Sequence, residues 1–374
     1  MGYGGAFMDR GEVDLFNSFY KDKRVLITGH TGFKGSWISI WLQKLGAKVI
    51  GYGLDPYRTD DNFVVSGLSN RVIDIRGDIR DYKKLLEVFN IYKPEIVFHL
   101  AAQALVGESY ENPKETYETN VMGTLNVLEC IKNSATAKVS IMVTTDKCYK
   151  NIEQIWGYRE NDPMGGYDPY SSSKGCAEIL IDSYRNSFIN PKDYKLHGKS
   201  IATVRAGNVI GGGDWSRNRI VPDCIRALKE NKDIEIRNPN AVRPWQHVLE
   251  PLSGYLLLAS KMYEDGVSYC SGWNFGPNSD CIVSVGNIVE AIIKEWGYGK
   301  CIDISSVNSP HEANLLTLDC TKAKTYLEWF PKLNVQEAIK FTVDWYKNFK
   351  DKDVYDLCTN QIKNYCTKTV KEVI

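Results

Sequence analysis

The stretch from Arg24 to Gly35, RVLITGHTGFKG, constrains the chain more than any other. Arg24-Val25-Leu26-Ile27-Thr28 reads as a short buried strand ending in a glycine turn, and Ser36-Trp37-Ile38-Ser39-Ile40-Trp41-Leu42 follows with helical apolar spacing. A glycine trio alone also fits a simple tight turn. Between a strand and a helix, Gly29-x-x-Gly32-x-x-Gly35 predicts a pyrophosphate cradle, because glycines let the backbone approach while the helix N-terminus supplies N–H donors and a positive dipole end. A second strand, Ala47 to Tyr52, closes near Asp55, twenty residues past Gly35. A carboxylate there accepts bonds from an adenosine ribose diol and repels a 2′-phosphate, so NAD is expected rather than NADP. Arg58 lies close enough to oppose that preference.

Further strands are read at 71–75, 95–100, 139–143 and 200–205. Helices are read over 81–92, about 113–132 and 170–186. Regular strand–helix alternation predicts an α/β fold, a doubly wound parallel Rossmann sheet covered on both faces. Beyond Ala206, Gly211-Gly212-Gly213, Pro222, Pro239 and Pro244 punctuate short segments, and helical patterns return at 284–296 and 333–349. These features give a Rossmann domain over 18–205, with 246–275 returning to it. Segments 206–245 and 276–350 form a smaller α/β substrate-binding lobe, and 351–374 is a tail, either a surface helix or partly loose. The first seven residues are Gly-rich and are assigned no function.

Forty-six basic residues balance forty-six acidic ones, so no basic stripe argues for nucleic acid or an anionic membrane. Ten cysteines are scattered without Cys-x-x-Cys or zinc spacing. They read as reduced thiols in a cytoplasmic protein with no metal site. Apolar runs fall far short of a membrane span, and the opening residues lack the apolar core of a signal peptide.

The run DPYSSSK holds Tyr170 and Lys174, four apart and so on one face of a helix. A phenol is a poor base, with an ordinary pKa of about 10, and a neighbouring ammonium is expected to pull it toward working pH. Such a phenolate takes a proton from an alcohol while a nicotinamide takes the hydride. The fifth strand runs out in Thr144-Thr145-Asp146-Lys147-Cys148-Tyr149, where a doubly wound sheet points polar side chains into its cleft. Thr145 there can hydrogen-bond the alcohol, and Asp146 can serve as acid.

Taken together, GHTGFKG, HLAAQ (99–103), NVMGT (120–124), TTDK (144–147), Tyr170-x-x-x-Lys174 and RAGNV (205–209) resemble the extended short-chain dehydrogenase/reductase family. The longer strings GHTGFKGSW, TTDKCY, WGYRENDPMGGYDPYSSSKGCAE, RAGNVIGGGDW and RPWQHVLEPLSGY are similar to those of its nucleotide-sugar 4,6-dehydratases that take CDP-glucose. The likeness runs from about residue 18 to 350, weakest in 55–70 and at both termini. It implies a lyase reaction with internal redox, in which hydride passes from C4 to NAD, water leaves across C5–C6, and hydride returns to C6. The product, CDP-4-dehydro-6-deoxyglucose, serves deoxysugar biosynthesis, as for a lipopolysaccharide O-antigen.

The resemblance also assigns roles by position. Thr145, Tyr170 and Lys174 match the family triad, Asn120 its helix-positioning fourth member, and Asp146 the acid. Lys147 stands where TDP-glucose relatives carry a glutamate, which leaves the C5 base open: Lys147, if buried enough to lose its proton, or another group, with Lys147 only holding the ketone's charge. Gly29, Gly32, Phe33, Gly35, Asp55, Asp78, Ile79, Ala101 and Ala102, with Tyr170 and Lys174, would meet the cofactor. Asp78 also reads as a helix cap. Gln103, Asn208, Arg217, Arg219, Arg243 and His247 would meet the substrate. For Arg217 and Arg219 a solvated loop fits as well, and for His247 packing beneath the sugar. A 4-epimerase, or a dehydratase of another nucleotide sugar, is the alternative; the Asp146-Lys147 pair favours dehydration. A homodimer, or a tetramer built on it, is expected through the helices at 113–132 and 169–187.

Overall fold

The computed structural model describes residues 15–305 and 315–369; the Gly-rich start and the last five residues of the tail lie outside them. Seven strands form the central sheet: β1 (Arg24–Thr28), β2 (Lys48–Gly53), β3 (Ile73–Arg76), β4 (Ile96–His99), β5 (Val139–Val143), β6 (Ser200–Arg205) and β7 (Gly272–Asn274). Their order is β7-β6-β5-β4-β1-β2-β3, every neighbour parallel. The strands are apolar on both faces, which is what permits such a sheet. Val25, Ile27, Ile96, Phe98, Ile141 and Val204 pack into one core, while Leu26, Val97, Met142 and Ile201 alternate into the other.

Helices α1 (Phe33–Lys44), α2 (Tyr82–Tyr92), α3 (Gly123–Asn133) and α4 (Pro169–Ser187) link the first six strands. The helix read over 113–132 is broken by a π-helical turn at Glu118–Met122, an irregularity found mostly at functional positions. Between β1 and β4, where the strand order reverses, Thr28 Oγ1 lies 2.7 Å from His99 Nδ1 and Thr124 Oγ1 lies 3.0 Å from His99 Nε2. Burial draws His99 down to about 3, so its ring is a neutral bridge.

After β6 the chain builds a lobe from α5 (Ile220–Lys229), α7 (Val285–Trp296), α8 (Val335–Asn348) and three two-stranded ribbons. One ribbon pairs Val209–Ile210 with Gln246–His247, and another pairs Val242–Pro244 with Ile282–Ser284. Between these pieces α6 (Leu249–Glu264) returns to the sheet and leads to β7.

The tail is ordered as far as it is described. Its helix α9 (Val354–Cys366) packs on α1, with Tyr365 edge-on to Trp41 at 5.8 Å and the Tyr355 hydroxyl on Gln43. Buried Glu250 anchors it, accepting from Tyr365 Oη at 2.8 Å and from the Lys332 and Leu333 amides at 2.8 and 2.6 Å. No helix among the described residues is long and apolar enough to cross a membrane.

Candidate active site

At the end of β1 the chain turns through Gly29, whose φ of +73° favours glycine. A side chain there would meet Ala101 Cα at 2.7 Å, and one at Gly35 would meet His30 Cα at 2.8 Å. The turn is thus closed tightly against the loop after β4. Helix α1 begins at Gly32 with no side-chain cap and no acid in its first turn. Its first N–H groups have no side-chain cap, and a cradle of this kind fits the pyrophosphate of a dinucleotide.

Asp55 follows β2 and is 86 % exposed; Arg76 Nε, at the end of β3, stands 3.6 Å from it. Arg58, expected to influence Asp55, is turned instead to Asp60 at 2.7 Å and over the Trp215 ring. Asp78 does not cap α2: Asp81 does, accepting from the Lys84 amide, while Asp78 grips Arg80 at 2.6–2.9 Å. Its neighbour Ile79 is buried against Gly123.

On the catalytic side, Asn120 sits in the π-helical turn. It accepts from the Gln103 amide at 2.8 Å and donates to the Gln103 carbonyl at 2.9 Å and to Ser173 Oγ at 2.8 Å. It therefore ties the loop after β4 to α4, the helix that carries Tyr170 and Lys174. Thr145 Oγ1 donates to Asp146 Oδ1 at 2.9 Å. Asp146 is 1 % exposed, and its carboxyl lies against Gly207, where a side chain would meet Oδ1 at 2.7 Å and Oδ2 closer still. Lys147 Nζ lies 3.6 Å from Asp146 Oδ1 with its side chain 37 % exposed. It stands beside the Asp146 carboxyl and lacks the burial a base role asks for.

Tyr170 departs from expectation. Burial pushes its phenol up to about 12; Thr145 and Arg219 act against that rise, and Asp146 and Asp168 add to it. The largest cationic influence is thus Arg219 rather than Lys174, and desolvation outweighs both. Tyr170 holds its proton in this arrangement. Lys174 donates to the Val143 carbonyl at 3.3 Å, and burial draws it down to about 8 while Glu178, one turn along, pulls the other way. Glu178 is itself fixed by Arg205 through two bonds of 2.9 and 2.8 Å and by the Thr144 hydroxyl. Arg205 continues to Tyr149 Oη at 2.6 Å and Tyr149 to Asn274 at 2.8 Å. One buried network therefore fixes the ends of β5, β6 and β7 relative to α4.

The residues expected to meet substrate divide. Arg219 is in the cleft, 2.9 Å from Asp214 and within electrostatic range of Tyr170; Arg217, two residues earlier, is exposed. Arg243 is half-buried on the ribbon that pairs Val242–Pro244 with Ile282–Ser284. Asn208 adopts a left-handed φ of +49°, and its carbonyl accepts from the Gln246 amide at 3.2 Å. The half-buried Gln103 side-chain amide bonds Leu105 and Thr116 and so helps hold its own loop. His247 is a correction, fully buried edge-on to Trp37 and Phe341 and drawn down to about 3 by burial. It is core packing.

Three site residues escaped the sequence reading. Lys34, within the glycine loop, lies within electrostatic range of Arg219, Asp146, Lys174 and Lys147 and is drawn down to about 8, mainly by burial. A cation in a position flanked by aromatic and glycine residues was the available signal. Gly207 and Gln246 lie in RAGNV and RPWQHV, but their neighbours drew the assignment.

The family described as GDP-mannose 4,6 dehydratase matches residues 26–342, and the chain belongs to it. CDP-glucose 4,6-dehydratase of Salmonella typhimurium is 48% identical over 355 residues, covering 95% of this chain and 99% of that one. Mouse dTDP-D-glucose 4,6-dehydratase is 28% identical over 346 residues, 87% and 90% of the two chains. Among solved structures, UDP-glucose 4-epimerase of Thermotoga maritima superposes with a TM-score of 0.73 at 24% identity, covering 87% and 99%. A dTDP-glucose 4,6-dehydratase of Bacillus anthracis in complex with NAD gives 0.72 at 22%, covering 90% and 99%. At those identities the likeness shows the fold.

Proposed function

We propose that this chain is an NAD-dependent nucleotide-sugar 4,6-dehydratase whose substrate is CDP-glucose. The observation that carries the reading is a buried carboxyl, Asp146, bonded to Thr145 next to the Tyr170 phenol, at the strand ends facing an uncapped glycine-lined helix start. The Salmonella relative supports the choice of CDP-glucose.

The backbone of Gly29, Gly32, Phe33 and Gly35 would hold the pyrophosphate, Asp55 the ribose diol, and Asp78 and Ile79 the adenine, with Ala101 and Ala102 toward the nicotinamide. Bound, the oxidised dinucleotide supplies a hydride acceptor with a positive ring charge. Arg219 and Thr145 act to lower the phenol, and Tyr170 would take the proton of the 4-hydroxyl as C4 is oxidised. The 4-ketone makes the C5 hydrogen acidic. A general base takes the C5 proton while Lys147 and Arg219 hold the negative charge that develops, and Asp146 gives its proton to the departing 6-hydroxyl. Arg243 and Asn208 meet the diphosphate. Exposed Met122 and Ile179 on the 113–122 and α4 helices support a homodimer through these helices. Ten unpaired cysteines support a cytoplasmic setting.

Incubation with CDP-, TDP-, GDP- and UDP-glucose, followed by alkali, tests this directly. The chromophore of a 4-keto sugar is expected from CDP-glucose before any other. A C4 epimer formed without that chromophore overturns the dehydratase reading.

A further inference from the structure

Two buried oxygens near the acid have no protein partner: Asp146 Oδ2 and Gln246 Oε1. Their residues are 1 % and 2 % exposed, and both line one cavity, which Gly207, Pro244, Gly276 and Thr317 help to close. Its volume is about 10 Å³, at the threshold for one water-sized oxygen. The Gln246 amide cannot be turned round. Its Nε2 donates to the carbonyls of Gly207 at 3.1 Å and Phe275 at 3.0 Å, so Oε1 is a fixed acceptor. Asp146 Oδ1 is already held by the Thr145 hydroxyl at 2.9 Å, which leaves Oδ2 as the oxygen without a partner. A buried acceptor left unmet costs free energy. Two of them on residues that line one small cavity therefore describe a site for a group with two hydrogens to give.

We propose that this cavity is the leaving-group pocket, with Gln246 as the residue that receives the C6 oxygen, an inference that rests on Asp146 being the acid. In the substrate complex the 6-hydroxyl enters it, donates its hydrogen to Gln246 Oε1 and accepts the proton of Asp146 Oδ2. As a general base takes the C5 proton and the electron pair of the C5–H bond forms the C5–C6 double bond, the C6–O bond breaks with its electrons on oxygen. That oxygen now carries the original hydroxyl hydrogen and the proton from Asp146: it is water, and its two hydrogens point at Gln246 Oε1 and at the new Asp146 carboxylate. The pocket thus matches the product of elimination better than the hydroxyl that precedes it, as an elimination site should. In the free enzyme a solvent water takes the same position.

Three measurements test this. A crystal structure of the free enzyme at high resolution is expected to show one ordered water bonded to both oxygens; a dry cavity, or a water touching neither, overturns the proposal whether or not any variant folds. Gln246→Met removes the acceptor at similar volume. With CDP-glucose it should keep C4 oxidation, seen as accumulated reduced cofactor, with KM raised at most about 10-fold, the worth of one neutral hydrogen bond, while elimination slows about 10- to 100-fold, the worth of one to a charge-developing group. With the 6-deoxy-6-fluoro analogue the departing fluoride has no hydrogen to give, so the deficit should shrink to near unity. An equal deficit with both substrates, or none with either, contradicts the assignment. Asp146→Asn separates the two levels: if it blocks elimination while Gln246→Met does not, only the pocket fails, and if it too turns over fully, the acid assignment itself is wrong.

Discussion

Gly207→Ala puts the geometry around Asp146 under direct strain. The added methyl would stand 2.7 Å from Asp146 Oδ1, with Cγ and Oδ2 nearer still. The carboxyl must retreat by more than about 1 Å to reach ordinary contact, and its bond to Thr145 and its near-complete burial leave little room. A displacement of about 1 Å at a reacting group costs up to about 10²-fold in rate, or about 2.7 kcal/mol on the barrier. Overpacking of this kind costs about 1–3 kcal/mol of stability, so the variant should fold. The assay is twofold: kcat for 4-keto sugar formation, and accumulation of reduced cofactor on mixing with CDP-glucose. Dehydration should fall about 100-fold while C4 oxidation, which depends on Tyr170 and Thr145, falls much less. Dehydration above about half the wild-type rate in a folded variant would refute the idea that the position of Asp146 limits elimination.

Other outcomes follow from the same structure. Burial raises Glu250 from its ordinary 4.5 to about 7, so the folded state binds the extra proton between those values. Its contribution is complete below the unfolded value and is lost as pH rises through about 7. Wild-type stability should therefore fall relative to Glu250→Gln by up to about 3 kcal/mol between about pH 5 and 8 in urea titrations; parallel pH curves would exclude this. Glu178→Gln leaves Arg205 a buried cation without its counterion and should cost about 3–5 kcal/mol, read from denaturant midpoints; a loss below about 1 kcal/mol would mean the network is dispensable. NAD should support turnover far better than NADP. Asp55→Ser should narrow the gap, because Arg76 beside it is then open to a 2′-phosphate; an unchanged ratio would remove Asp55 from cofactor selection.

Strands β1, β5 and β6 were legible to the residue, because continuous apolar runs bounded by Gly, Pro and polar exits leave few alternatives. The helix α6 and strand β7 were not read as elements. Gly272–Asn274 is three residues long and becomes a strand only because β6 offers it an edge, a tertiary effect with no local signature. The tail shows the same limit: its Lys- and Asp-rich composition hid an apolar stripe that meets Trp41. At the site, Tyr170, Lys174, Thr145 and Asp146 stood out because their spacing carries chemistry. What sequence could not supply was the environment: that burial outweighs the charges around Tyr170, that His247 is walled in by aromatic rings, and that the Gln103 amide turns back on its own loop. Gln246 was invisible because an unpartnered oxygen is a property of packing.

The claim on which the account turns is that one site oxidises C4, expels water and returns the same hydride to C6. CDP-glucose carrying deuterium at C4, turned over to completion and read by NMR and mass spectrometry, measures it. The account predicts the deuterium in the C6 methyl group of the 4-keto product. Deuterium still at C4, or lost from the sugar altogether, would contradict it.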